Sequence, residues 1–176
     1  MFETDLRLQC GRALRVYDSA PGDDARLPVV TLGVPTDDLH DVGEWLGIRW
    51  ISCDVPATTA ADLTVVVDAA GVEGFALMGH ADGGALALRT AALLGDRVEA
   101  VVTFASALPA DFILVAIQTP VLLCHGLADD VSPAENSLWL ASRLELATLD
   151  LHPGADHHSI LAQAEPALEW IRDHTG

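Results

Sequence analysis

Residues 77–84, with the sequence Leu-Met-Gly-His-Ala-Asp-Gly-Gly, have the spacing of a nucleophile elbow, a sharp turn between a strand and a helix. In such a turn a nucleophilic side chain stands between two glycines, each two positions away, so that strand and helix can pack closely. Gly79 and Gly83 occupy the glycine positions, and His80 precedes the centre, where Ala81 stands. A methyl group cannot attack a carbonyl carbon. The sequence therefore predicts a turn built for nucleophilic catalysis that lacks its nucleophile.

Two later loops carry an acid and a histidine at places where buried strands are predicted to end. Asp129 follows the apolar run at residues 120–124, and His157 follows a second strand at residues 149–152. An aspartate can hold a histidine in the tautomer that accepts a proton, and the histidine can then activate a hydroxyl nucleophile. The chain order of elbow, acid and histidine therefore predicts the acid and the base of a hydrolytic site.

The segments between these residues alternate between strand and helix patterns. Residues 6–8 and 13–17 predict an N-terminal antiparallel hairpin. Further strands are predicted at residues 28–32, 48–53, 75–78 and 100–104, and helices at residues 37–46 and 60–70, after the elbow and at the C-terminus. This alternation implies an α/β fold with a mostly parallel, doubly wound sheet of about eight strands. Ala81, Asp129 and His157 would then lie together at the carboxyl ends of the strands, where such sheets bind ligands.

Two helix starts have recognisable capping residues. Thr59 and Asp62 have the spacing of a capping box, in which each side chain satisfies a backbone N–H of the other residue. Ser132, Pro133 and Glu135 predict a further start, with serine at the cap and proline at the first helical position.

The motifs resemble those of a known family. The elbow form Gly-His-Ser-Asp-Gly-Gly is common among small α/β-hydrolases, and this chain matches it at every position except Ala81. Residues 125–133 resemble the His-Gly-x-x-Asp-x-x-Val-Pro segment of that superfamily, and residues 153–157 resemble its Pro-Gly-Ala-x-His loop. The chain is identified as a small member of the α/β-hydrolase superfamily, similar to its carboxylesterase, lysophospholipase and peptidase-like branches. The similarity spans residues 28–175 and points to the fold more than to a substrate.

The resemblance assigns roles to particular residues. It makes Asp129 the acid and His157 the base, and it gives the oxyanion hole to the backbone amides of Asp82 and Val34. The family's oxyanion turn has a histidine where this chain has Leu32. With serine at the elbow, these groups would carry out ester hydrolysis; without it, the expected turnover is lower by about six orders of magnitude.

The resemblance also bears on access to the site. Many family members carry a lid of tens of residues between the sixth and seventh strands, whereas only residues 105–119 lie there in this chain. We therefore expect a single domain over residues 1–176 with no substantial lid and an open cleft. Such a cleft favours esters with short acyl groups.

Ala81 raises two questions: whether another residue replaces the nucleophile, and how alanine came to stand at this position. Asp82 could replace the nucleophile, as aspartate does in related dehalogenases, but there it occupies the central position, and Asp82 lies one residue later. The centre of an elbow has a positive φ, for which glycine is the least strained residue. Because alanine is the smallest change from serine, Ala81 fits either a deliberate serine-to-alanine replacement or a lineage that lost hydrolysis recently.

Composition limits the partners. The 176 residues carry 26 acids and 9 bases, a formal charge of −17, and 51% of them are hydrophobic. A surface with this charge repels nucleic acids and anionic membranes. No apolar run is long enough to span a membrane and the N-terminus is acidic, so we expect a cytoplasmic protein. A homodimer is compatible with the open cleft, but no residue points to it.

Cysteine and histidine spacing gives no cofactor or metal site. The cysteines Cys10, Cys53 and Cys124 are odd in number and two follow apolar patterns, so we expect buried, reduced thiols. Cys53 ends a strand at the same edge as the elbow, so a reactive thiol is the alternative for this residue. No histidine pair has the spacing of a zinc-binding helix.

Two functions from different classes therefore remain. The first is a carboxylesterase-like serine-hydrolase scaffold, impaired at Ala81, whose ligand is a small ester or a related molecule. The second is a non-hydrolytic protein that binds a small molecule, or that uses His157 and Asp129 as an acid–base pair for lyase or cyclase chemistry. Retention of Asp129 and His157 favours the first, because a pure binding protein has no need of an oriented imidazole.

Overall fold

The computed structural model describes residues 1–8, 10–54, 58–108 and 114–176. Within these ranges there are eight strands: β1 (Phe2–Arg7), β2 (Ala13–Asp18), β3 (Leu27–Leu32), β4 (Ile48–Cys53), β5 (Phe75–His80), β6 (Val98–Phe104), β7 (Val121–Gly126) and β8 (Ala147–His152). The α-helices are α1 (His40–Leu46), α2 (Ala60–Ala69), α3 (Asp82–Leu94), α4 (Glu135–Ala141) and α5 (Ala164–His174).

All eight strands form one sheet in the order β1-β2-β4-β3-β5-β6-β7-β8. β1 and β2 form an antiparallel hairpin, and β2 joins β4 antiparallel. The six strands from β3 to β8 are mutually parallel. The predicted hairpin and doubly wound sheet are thus confirmed, although β1 begins at Phe2 rather than at Leu6.

Each face of the sheet has its own hydrophobic core, because side chains alternate between faces along each strand. In β5, Phe75 and Leu77 belong to the core beneath α2, α3 and α4. Ala76 and Met78 point the other way, into the core beneath α1 and α5. Helices on both faces explain why the parallel strands are almost continuously apolar.

The capping box at the start of α2 is present as predicted. Thr59 Oγ1 accepts a hydrogen bond from the backbone N–H of Asp62, and the Asp62 carboxylate accepts one from the backbone N–H of Thr59. Asp62 also pairs with Arg12 in the turn of the N-terminal hairpin at 2.5 Å. The Asp62 side chain therefore caps the start of α2 and anchors the hairpin to this helix.

The predicted serine cap of α4 is wrong. This helix begins at Glu135, and its N-cap position is Ala134, which makes no side-chain capping bond. The hydroxyl of Ser132 instead donates to the backbone oxygen of Ser106 at 3.2 Å. The serine is used to join the loops that follow β6 and β7.

The connection between β6 and β7 spans residues 105–120. We expected this connection to carry no substantial lid, but its residues 109–113 lie outside the described residues. Its described part contains a single 3-10 turn, Leu114–Ala116. In the part of the chain that the structure describes, no helix is long and apolar enough to cross a membrane.

Candidate active site

The elbow forms at the junction of β5 and α3. Ala81 has a φ of 53° and a ψ of −117°, a conformation that residues with a β-carbon adopt only under strain. Its N–H donates to the backbone oxygen of Phe104 at 2.9 Å, and its own oxygen accepts from the N–H of Gly84 at 3.0 Å. The surrounding backbone therefore fixes the sharp turn although residue 81 carries only a methyl group.

The glycines of the elbow are required by close backbone contacts. A β-carbon at Gly79 would lie 2.3 Å from the backbone oxygen of Gly83. One at Gly83 would lie 2.0 Å from the backbone oxygen of Leu32. Neither position has room for a side chain, so the start of α3 can pack directly against the ends of β5 and β3.

Asp129 and His157 meet in a hydrogen bond. The Nδ1–H of His157 donates to Oδ2 of Asp129 at 2.8 Å. The other carboxylate oxygen of Asp129 accepts from the backbone N–H groups of Val131 and Ser132, each at 2.8 Å. The carboxylate of Asp129 is fully buried, and the His157 side chain is 10% exposed. The carboxylate can therefore hold His157 with Nε2 free to accept a proton.

The environment of Asp129 keeps it charged. Burial raises the pKa of this carboxyl group. Hydrogen bonds from the N–H of Ser132, the ring of His157 and the N–H of Val131 together lower the pKa by more than burial raises it. The net pKa lies below the ordinary value for aspartate. Asp129 is thus an anion at neutral pH, as a partner of an imidazole Nδ1–H must be.

The loops that carry these two residues are joined by their backbones. Leu127 N–H donates to the backbone oxygen of His152 at 2.9 Å, and Ala128 N–H donates to that of Ala155 at 3.0 Å. A β-carbon at Gly126 would lie 2.2 Å from the backbone oxygen of Ala155, so glycine permits this approach. The relative position of acid and base is therefore set by backbone contacts as well as by their side chains.

His80 joins the elbow to the histidine loop. Its Nε2–H donates to the backbone oxygen of His157 at 2.8 Å. Burial is the main cause that lowers the pKa of His80, so the ring is neutral at neutral pH and its proton lies on Nε2. The sequence places His80 in the elbow but gives no sign of this contact, because the two residues are 77 positions apart.

The expected oxyanion turn adjoins the elbow. Gly33 has a φ of 73°, and a β-carbon there would lie 3.6 Å from the backbone oxygen of His80. Leu32 is completely buried and Val34 nearly so. Asp82 is the first residue of α3, and the first N–H groups of a helix have no partner within that helix. The two backbone segments expected to bind an oxyanion therefore flank the turn that carries Ala81.

A cleft of about 310 Å³ opens beside Val34, between the loop after β3 and the start of α5. Its lining combines apolar side chains with two carboxylates, and it includes Val34, Pro35, Asp38, Leu39, Leu161 and Glu165. This volume is at the lower end of the range for small-molecule sites.

The other candidate reactive groups are the three cysteines and the side chain of Asp82. Cys53 is buried, and burial raises the pKa of its thiol to about 11, which disfavours the reactive thiolate. Cys124 is also buried, Cys10 is exposed, and all three are free thiols. The side chain of Asp82 belongs to an exposed residue, one position past the centre of the elbow. Among the described residues, no group of three or more metal-binding side chains has a geometry that could hold a metal ion.

Sequence reasoning missed the role of His125. The sequence places this residue at the start of the 125–133 motif and among the histidines that form no metal site, whereas in the fold its ring is fully buried and lies beside the Asp129 carboxylate. The spacing of four residues between them, across the end of a strand, was the available signal.

Comparisons with known proteins agree with this architecture. Among solved structures, alpha/beta hydrolase domain-containing protein 10 from mouse superposes with a TM-score of 0.79 at 16% identity, covering 98% of this chain and 99% of that chain. Est1E from Butyrivibrio proteoclasticus gives 0.75 at 18% identity, covering 98% of each chain. The esterase domain of a Rhodothermus marinus protein gives 0.77 at 18% identity, covering 99% of each. At these identities the likeness shows the α/β-hydrolase fold alone.

Sequence comparison goes one step further than the fold. No curated protein matches the chain. The model of the dienelactone hydrolase family, however, matches residues 56–168, which include the elbow and both loops of the acid–base pair. The chain therefore belongs to the dienelactone hydrolase family.

Proposed function

We propose that this chain is a carboxylic-ester hydrolase scaffold that binds a small ester or lactone and hydrolyses it very poorly. One observation carries the proposal: Ala81 has the strained backbone of a nucleophile, while Asp129 and His157 are already hydrogen-bonded at 2.8 Å. A formed acid–base pair is useful for acyl transfer, and the elbow provides the position from which it would be used. Only the attacking atom is missing.

The chemistry follows from placing a hydroxyl at position 81. Its oxygen would attack the carbonyl carbon of the ester while His157 Nε2 took the hydroxyl proton. The charged Asp129 would stabilise the resulting imidazolium, and the amides of Asp82 and Val34 would bind the oxyanion. His157 would then protonate the leaving alcohol, and water would release the acyl group by the same steps. With a methyl group at position 81 the first bond cannot form.

The class of ligand is inferred from the surroundings of the site. Three exposed aliphatic side chains, Leu108, Leu127 and Val131, follow β6 and β7 at the carboxyl edge of the sheet. The cleft beside Val34 adds apolar side chains such as Leu39 and Leu161, together with the carboxylates of Asp38 and Glu165. The family name adds the lactone, a cyclic ester with the same carbonyl chemistry. A small, largely apolar ester or lactone fits these features, and the net charge of −17 disfavours anionic ligands.

The test is hydrolysis of p-nitrophenyl acetate and butyrate by the chain as given, by Ala81→Ser and by the double variant Ala81→Ser/His157→Gln. We expect Ala81→Ser to exceed the given chain by on the order of 10⁴-fold or more, and the double variant to lose most of that gain. A fluorophosphonate should label Ala81→Ser and leave the given chain unlabelled. A folded Ala81→Ser protein that neither turns over the esters nor reacts with the label would refute the proposal.

A second function is favoured by the oxyanion turn. Leu32 is completely buried where the related turn has a histidine, so this turn has diverged together with the elbow. The chain would then bind a small molecule without hydrolysis, or use His157 and Asp129 as an acid–base pair in a lyase or cyclase reaction. A silent but folded Ala81→Ser variant that still binds lactones, measured by calorimetry, would support this second function.

A further inference from the structure

His125 is a fully buried histidine at the end of β7 for which the chemistry above has no use. Polar side chains are rarely buried so completely unless all their hydrogen-bonding atoms are satisfied. His125 lies four residues before Asp129, and its ring lies beside the Asp129 carboxylate in the loop that follows β7. Its contacts therefore bear on how that carboxylate is held.

Both ring nitrogens of His125 have partners. Nε2 lies 2.8 Å from the backbone oxygen of Ser132 and 3.4 Å from Oδ2 of Asp129. Nδ1 lies 2.7 Å from the hydroxyl oxygen of Ser137 in α4. A carbonyl oxygen can only accept, so the proton must lie on Nε2. The hydroxyl of Ser137 can donate or accept at Nδ1, so both ring nitrogens are satisfied.

These bonds close a ring around the acid. The backbone of Ser132 donates its N–H to Oδ1 of Asp129, and its carbonyl oxygen accepts the Nε2–H of His125. The same Nε2–H lies near Oδ2, the oxygen that accepts from His157. His125 thus fixes one donor to the carboxylate through the backbone, and it limits how the carboxylate can rotate.

We propose that His125 is the positioning residue of the acid–base pair, acting through its Nε2–H to hold Asp129 in the orientation that binds His157. Its catalytic consequence rests on the proposed function, but its effect on the Asp129–His157 hydrogen bond does not. The polar partners of the His125 ring are Ser137, Ser132 and Asp129. A change at His125 therefore acts on catalysis only through Asp129.

The test uses two amides of different reach. In His125→Gln the side-chain amide can occupy the place of Nε2 and donate to Ser132, whereas in His125→Asn it reaches only the place of Nδ1. Both variants keep a polar group beside Ser137, so both have a partner for its hydroxyl. His174→Gln, at the exposed end of α5, is the matched control.

The first readout is NMR of ¹⁵N-histidine in the given chain, where no nucleophile is required. We expect His125 to carry a proton on Nε2, and His157 to show a hydrogen-bonded Nδ1–H signal. His125→Gln and His174→Gln should keep the His157 signal, whereas His125→Asn should shift it or lose it through exchange with water. Circular dichroism melting confirms that each variant is folded. An Nε2 of His125 that carries no proton, or a His157 signal equal in the Gln and Asn variants, overturns the proposal.

The second readout is steady-state kinetics in the Ala81→Ser background. Displacing the acid should lower kcat for p-nitrophenyl butyrate by about 10- to 100-fold in His125→Asn while KM changes less than about twofold, and His125→Gln should restore most of kcat. Equal loss in both variants would mean that His125 supports only stability. If Ala81→Ser is itself inactive, the proposed function fails, and the NMR comparison still decides the role of His125.

Discussion

At the scale of single residues, Ala81 keeps a strained backbone that its own side chain does not need. Its φ is 53°, and among the described residues other than glycine only Ala105 shares a positive φ. The oxygen of Ala81 accepts from the N–H groups of Gly84, Ala85 and Ala107, so the strain is imposed by neighbours on both sides of the elbow. Strain of this kind persists where the surrounding structure determines it. Residues with such strained backbones cluster at functional sites.

This strain predicts that Ala81→Gly stabilises the protein. Removing the β-carbon at this φ and ψ should raise the free energy of unfolding by about 1 kcal/mol, because glycine adopts positive φ without the steric penalty. Urea denaturation followed by circular dichroism measures the change. The matched control is Ala92→Gly, within α3, which should lower the free energy of unfolding by about 0.5–1 kcal/mol. Equal destabilisation by both changes would show that the elbow is not strained.

At the scale of elements, the site depends on how closely α3 approaches two strands. Gly79 lets the start of α3 lie against the end of β5, and Gly83 lets it lie against the end of β3. Because β3 leads into the loop of Val34, this packing also sets the distance between the elbow and the expected oxyanion turn. Glycine at position 83 is therefore required for the geometry of the whole site.

Gly83→Ala should be strongly destabilising. Its β-carbon would lie 2.0 Å from the backbone oxygen of Leu32, and a backbone atom cannot move aside as a flexible side chain can. We expect a loss of about 3 kcal/mol or more in the free energy of unfolding, measured by urea denaturation. Gly154→Ala is the control, since a β-carbon there meets no atom within 4 Å. A Gly83→Ala protein as stable as Gly154→Ala would contradict the close packing of α3 on β3.

At the scale of the whole molecule, charge is the dominant surface property. Nine arginines face 26 acids, which leaves a formal charge of −17. Several arginines join distant segments: Arg49 makes a buried pair with Asp18 at 2.7 Å that ties β4 to the hairpin, and Arg97 pairs with Asp68 at 2.8 Å. The unpaired surplus of acids opposes compaction through mutual repulsion.

The surplus predicts that salt stabilises this protein. Raising NaCl from about 0.1 M to about 1 M shortens the screening length from about 10 Å to about 3 Å, so repulsion between exposed carboxylates weakens. We expect Tm to rise by about 3 °C or more, which corresponds to about 1 kcal/mol for a domain of this size.

The control for this prediction is a variant with fewer charges. Glu145→Gln/Glu169→Gln changes two exposed acids and brings the formal charge from −17 to −15. It should melt higher at low salt and gain less from added NaCl. A Tm that falls with salt would mean that attractive ion pairs, rather than repulsion among acids, dominate the electrostatics.

Local patterns in the sequence are enough to predict the kind of fold and its central turn. Strand and helix patterns, the two elbow glycines and the capping box of Thr59 and Asp62 are local features, because each involves residues within a few positions of one another. The order of elbow, acid and histidine follows directly from the chain. The predicted start of α4 was wrong because the hydroxyl of Ser132 bonds to Ser106, which lies 26 positions away in the sequence.

Which of these residues are in contact depends on how the chain packs. The bonds from His157 to Asp129, from His80 to His157 and from His125 to Ser132 depend on which strands are neighbours and in what register they pair. A local pattern does not encode strand order, since an apolar strand is compatible with many neighbours. The sequence thus names the groups of the site, and packing of the sheet fixes the distances at which they can act.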